Sequence, residues 1–129
     1  MMLISTLVLA PIFEELLYRE RLLLALKRVV GAPVAIVVTA ACFALPHIQS
    51  WSLVGTFVVG VFLALVMLWT HSIALCISIH AGLNLAGAMC GIPPTRWYMD
   101  WTISAGISVA LLVLAARWVR GGRLAEGRL

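Results

Sequence analysis

Ser52 to Thr70 reads SLVGTFVVGVFLALVMLWT, nineteen residues without a charge. The hydrocarbon core of a bilayer needs about 20 consecutive apolar residues in a helix. This stretch alone therefore makes a membrane-spanning helix the first expectation. Two runs on its C-terminal side are of the same kind: SIALCISIHAGLNLAGAMC, Ser72 to Cys90, and a fifth segment from about Trp101 to Val119. On its N-terminal side, PVAIVVTAACFALPHI begins at Pro33, a residue suited to a helix's first turn. That run is short and reads as a partial span or a tilted, half-buried helix. The first segment extends from about Met2 to Lys27 and carries its charges in its second half. The fold class that follows is all-α, a polytopic membrane bundle of about five helices, with residues 1–120 as the embedded core and 121–129 as a basic cytoplasmic tail.

Composition agrees. The chain has 129 residues, of which 64% are hydrophobic and 11% charged, against about 45–50% and 25% in soluble domains. A soluble fold of this size could not hide so much apolar surface. There is no strand-like alternation broken by polar turns, which argues against an outer-membrane barrel. The net charge of +4 sets nine Lys and Arg, at 19, 21, 27, 28, 96, 117, 120, 123 and 128, against five Asp and Glu. These bracket apolar runs, as orientation signals do. With Lys27 and Arg28 ending the first helix and Arg117, Arg120 and Arg123 ending the fifth, the rule puts both ends in the cytoplasm. The N-terminus and the 48–51 and 91–100 links are then outside. No basic face interleaved with reading groups is present, so nucleic acid is not an expected partner.

Cys42, Cys76 and Cys90 show no CxxC and no metal-ligand spacing and read as buried, inert thiols. No basic n-region with a small-residue cleavage site opens the sequence, so no cleaved signal is expected. The ending EGRL has no prenylation cysteine.

Ionisable groups within apolar helices mark a functional site by default. Here they are Glu14, Glu15, Arg19 and Arg21 in PIFEELLYRER, His47 at the end of the second segment, and His80 in the fourth, where Asn84 follows one turn later. Glu15 and Arg19 are i and i+4 in the favourable ion-pair order. Glu14 is rotated by about 100° from Glu15 and needs a partner from another helix. His80 and Asn84, also i and i+4, share a face. At about 1.5 Å of rise per residue, Glu14, His47 and His80 reach overlapping depths, which is what one site requires. Each part also has a plain structural reading: an ion pair, a histidine capping carbonyls freed by Pro46, and interhelical hydrogen bonding by His80 and Asn84.

The three motifs match a family. EELLYR (Glu14 to Arg19) fits EExxxR, FALPH (Phe43 to His47) fits FxxxH, and HAGLN (His80 to Asn84) fits HxxxN. In this order they resemble the CPBP intramembrane proteases, which include the CAAX prenyl endopeptidases and the bacterial Abi proteins linked to bacteriocin self-immunity. The resemblance implies an intramembrane endopeptidase in which Glu14 and His47 activate a water while His80 and Asn84 stabilise the oxyanion. Glu15, Arg19 and Phe43 would support them. It implies no cofactor, a peptide or membrane-associated protein as substrate, and the lipid bilayer as setting. The candidate substrates are a prenylated CAAX peptide, a pheromone precursor or a bacteriocin leader. Such proteins usually carry further helices before the first motif, whereas this sequence begins ten residues before Pro11, so a truncated or minimal form is expected.

Other classes compete. Glu14, His47 and His80 could hold zinc with a water, although no HExxH is present. A non-catalytic immunity or scaffold protein would keep the fold and bind a partner. A cation carrier should show an inverted repeat, and none is found. No GxSxG is present for serine chemistry.

Overall fold

The computed structural model describes residues 4–47 and 53–90. The fifth apolar segment, the 91–100 link and the basic tail lie outside the described residues. Within them the chain is helical throughout, with no strand.

Helix α1 (residues 5–30) is one continuous run that changes its winding. Ser5–Leu9 is π-helix, Ala10–Glu15 α-helix, Leu16–Leu23 π-helix again, and Leu24–Val30 α-helix. Pro11 sits in the first turn of the second piece. Proline offers no N–H to the turn before it, and there the backbone is wound wide, with the Ala10 N–H donating to the Ser5 carbonyl. The second π stretch has a side-chain signature. Pro11, Glu15, Arg19 and Leu23 are all fully enclosed, at steps of four. In an α-helix of 3.6 residues per turn, positions four apart drift by about 40° each, or about 120° over three steps. The wider π turn removes that drift and keeps one column of side chains aimed inward.

Gly31 breaks α1 from α2 with φ of 82°, a conformation that glycine adopts without steric cost. Helix α2 (Ala32–Ala44) ends in a single 3₁₀ turn, Leu45–His47. Helix α3 is Leu53–Thr70 and α4 is Ile73–Met89. His71, at φ of 53°, closes α3 by donating its N–H to the Met67 carbonyl, and Ser72 caps α4 by accepting from the Leu75 N–H.

Helices α2 and α3 approach closely because Gly60 faces Ala40: a Cβ built on Gly60 would lie 3.0 Å from the Ala40 Cα. Small residues let helix backbones meet in this way. Below the charged residues, Leu23, Ala35, Leu63, Ala64, Met67 and Cys76 form an apolar layer drawn from all four helices. Above it Tyr18, Leu22, Cys42 and Phe43 make a second, smaller cluster.

Among the described residues, α3 is the one helix long and apolar enough to cross a membrane, and only 22% of its length is buried inside the protein. Its outer face, with Val54, Val58, Phe62, Leu65 and Trp69, is exposed and apolar. Two sequence expectations need correction. Arg21, midway between Arg19 and Leu23 of the enclosed column, is exposed. Cys90 is also exposed, at the very end of α4, whereas Cys42 and Cys76 are buried as expected.

Candidate active site

The inward column of α1 brings charge into the bundle. Glu15 and Arg19 are both enclosed, with Arg19 Nε 3.1 Å from Glu15 Oε2. That contact lacks hydrogen-bond alignment, and Arg19 Nη1 has no hydrogen-bond partner among the described residues. The guanidinium is held in other ways. Arg19 Nη2 donates to the Gly60 carbonyl at 3.4 Å, and the guanidinium carbon lies 4.4 Å from the centre of the Phe43 ring, a cation–π distance.

Helix α4 packs against the first half of α1 and delivers His80. Its Nδ1 is 2.9 Å from Glu15 Oε1, and its Nε2 is 3.8 Å from Glu14 Oε2. Glu15 thus serves two partners, Arg19 on one oxygen and His80 on the other. The spacing argument foresaw only the first. Glu14 meets the partner from another helix that the sequence required of it. Asn84 lies one turn beyond His80 on α4 and is half-buried.

Phe43 joins the helices. Its ring centre is 5.5 Å from those of Tyr18 and His80, both edge-on, and 5.6 Å from that of His47. His47 Nδ1 donates to the Phe43 carbonyl at 3.0 Å, which makes Nε2 the basic nitrogen of the neutral ring. The capping read from the sequence is therefore present, but at Phe43. The carbonyl that Pro46 deprives of an α-helical donor belongs to Cys42, and the Tyr18 hydroxyl donates to it at 3.3 Å. Tyr18 was missed as a site residue. Its place in the EExxxR spacing, with Glu14 one turn before it, was the available signal.

One glutamate is locked and the other is not. The Glu15 side chain has no exposed surface, while that of Glu14 keeps 13%. Among the described residues no group of three or more His, Cys, Asp and Glu converges to hold a metal ion, so the zinc arrangement of Glu14, His47 and His80 has no geometric support there.

No curated protein and no solved structure matches the chain. A family model, described as type II CAAX prenyl endopeptidase Rce1-like, matches residues 1–86. That span takes in α1, α2, α3 and α4 as far as Ala86, Asn84 included, and so every residue that meets in the cluster around Phe43. The chain belongs to the Rce1-like family of type II CAAX prenyl endopeptidases, which are membrane proteins.

Proposed function

We propose that the protein is an intramembrane endopeptidase in which Glu14, assisted by His47, activates a water for attack on a peptide carbonyl. The observation that carries this reading is the contrast between the two glutamates. Glu15 is enclosed and committed to Arg19 and His80, whereas Glu14 retains surface and looks toward His80 Nε2. A general base must reach its proton, and of the two only Glu14 can. The water gives its proton to Glu14 as its oxygen bonds to the carbonyl carbon. The tetrahedral oxyanion then collapses, the C–N bond breaks, and the proton passes from Glu14 to the departing amine.

His80 and Asn84 are assigned to the oxyanion. Because Nδ1 of His80 already holds a hydrogen toward Glu15, a donor at Nε2 requires the imidazolium form. The buried charges then cancel, two carboxylates against a guanidinium and an imidazolium, as a dry site demands. Moving the water proton to Glu14 while the oxyanion forms leaves that balance unchanged.

The family supports a peptide substrate in a membrane setting. The chain is read as a multi-pass bundle of about five helices with its N-terminus outside and its C-terminus in the cytoplasm. Residues 1–120 form the embedded core and 121–129 a basic tail. A C-terminal reporter found outside the cytoplasm would overturn that orientation.

The bond from Glu15 to His80 Nδ1 is also one that zinc-ligating imidazoles make, so the deciding experiment includes a metal arm. Detergent-purified protein is given prenylated and unprenylated peptides, with and without a strong chelator. Cleavage indifferent to the chelator is expected. Cleavage lost in chelator and restored by zinc, with about one zinc per chain, would replace the glutamate reading by a metalloprotease.

A further inference from the structure

We infer that Glu15 is a positioning residue for this reaction: it holds His80 by Nδ1–H and so presents Nε2 to Glu14 and the reacting carbonyl. The inference deepens the reading proposed above and depends on it for the identity of the reaction.

A carboxylate only accepts hydrogen bonds. Glu15 pairs with Arg19 as a carboxylate, its Oε2 3.1 Å from the guanidinium Nε. At 2.9 Å from His80 Nδ1 it therefore requires the hydrogen on Nδ1. The opposite tautomer would set a nitrogen lone pair against a carboxylate oxygen. The groups facing the imidazole from each packed element reinforce this. From α1 they are Glu14 and Glu15, with Arg19 on the other oxygen of Glu15, and from α2 the Phe43 ring, edge-on at 5.5 Å. Helix α3 carries no charged side chain. Cys76 lies one turn earlier on α4, with its thiol turned to the Leu63 carbonyl.

Glu15 is itself fixed from behind. Arg19 ties it to the Gly60 carbonyl on α3 and to the Phe43 face on α2. The series Gly60, Arg19, Glu15, His80 crosses three helices and ends on a ring nitrogen in the site. Such a series does more than neutralise Arg19, because neutralising a cation needs only one carboxylate oxygen. The second oxygen is spent on His80.

A purely structural role for Glu15 predicts something different, and the two can be separated in the full-length protein in detergent. Histidine-labelled protein should show a downfield Nδ1–H proton resonance, assigned by its absence in His80→Gln. In Glu15→Gln, whose amide can donate to Nδ1 as well as accept from it, that resonance should vanish. There kcat should fall by about 10²–10⁴-fold, the scale of misplaced acid–base groups, with KM within about twofold. Should Glu15→Gln not fold, the double variant Glu15→Gln with Arg19→Gln removes both buried charges together, and the same two readouts apply to it. A folded variant that retains the wild-type kcat, or that retains the Nδ1–H resonance, overturns the inference. Glu14→Gln is measured alongside. If it cleaves normally, the assignment of the base fails, while the resonance still reports on Glu15 and His80 independently.

Discussion

Two layers of the bundle lie about one helical turn apart and are built on opposite principles. The lower layer, with Leu23, Ala35, Leu63, Ala64, Met67 and Cys76, is enclosed and apolar. Its attraction is non-directional, and neighbours of similar volume can substitute for one another. The upper layer encloses Glu15, Arg19 and His80 just as completely, against Phe43. Removing such charges from water costs several kcal/mol per ion, and apolar side chains of equal volume often stabilise as well or better. Stability accounts for the lower layer and does not account for the upper one. We propose that the bundle keeps two carboxylates, a guanidinium and an imidazole in its interior for the peptide-bond chemistry that its family suggests.

The widest separation between the layers should come from Glu14→Gln. It is expected to abolish peptide cleavage, a loss of at least about 10²–10⁴-fold, with the thermal melt of the purified protein unchanged. Normal cleavage by Glu14→Gln, with Glu15→Gln inactive for want of a proton acceptor, would exchange the roles of the two glutamates.

Next in size is Arg19→Ala. It strands Glu15 as an enclosed charge with only His80 beside it, and should cost about 3–5 kcal/mol of stability. Glu15→Gln together with Arg19→Gln should recover part of that loss. Strictly additive losses in the melts would show that the 3.1 Å contact contributes no coupling.

Asn84→Ala is expected to slow turnover by about 10²–10³-fold, or about 2.7–4 kcal/mol, with little change in substrate binding, since an oxyanion donor acts in the transition state. A raised KM at constant kcat would reassign Asn84 to substrate binding.

The smallest effect belongs to Cys76→Ala, at the junction of the layers. The thiol is buried and its sulfur is 3.7 Å from the Leu63 carbonyl. Its loss should cost on the order of 1 kcal/mol and leave cleavage intact. Inactivation by this change would move Cys76 from the lower layer to the upper.

The sequence disclosed the layers unevenly. Spacing alone paired Glu15 with Arg19 and left Glu14 in need of a partner, because i and i+4 neighbours are a local property of any helix. Uncharged length marked α3, Leu53–Thr70. What escaped was non-local or depended on winding. The hydrogen bond from His80 to Glu15 joins positions 65 apart in the chain, and no periodicity within one helix encodes it. Arg21 was counted among the buried charges because it lies inside the first apolar segment, whereas two residues past Arg19 it points to the opposite face of α1 and is exposed. Cys90 was read as the buried last residue of an apolar run whose helix ends at Met89. Tyr18 drew no reading of its own, since its acceptor, the Cys42 carbonyl, is set free by a proline on another helix.

The π-helical stretch Leu16–Leu23 makes the length of this segment part of its information. A π turn encloses one more residue than the α turn it replaces, so the stretch behaves as a counter set between the two charged rows and the basic end at Lys27 and Arg28. Removing a single residue from it would let the backbone relax toward ordinary α-helix, with the turns on either side kept near their present register. Inside the stretch, α-winding would bring back the drift of about 40° per four residues, and Arg19 and Leu23 would no longer stand in line behind Glu15. The guanidinium would leave the Gly60 carbonyl and the Phe43 face with no chemical group altered at either. Deletion within 16–23 thus tests the winding itself, apart from the side chains it aims.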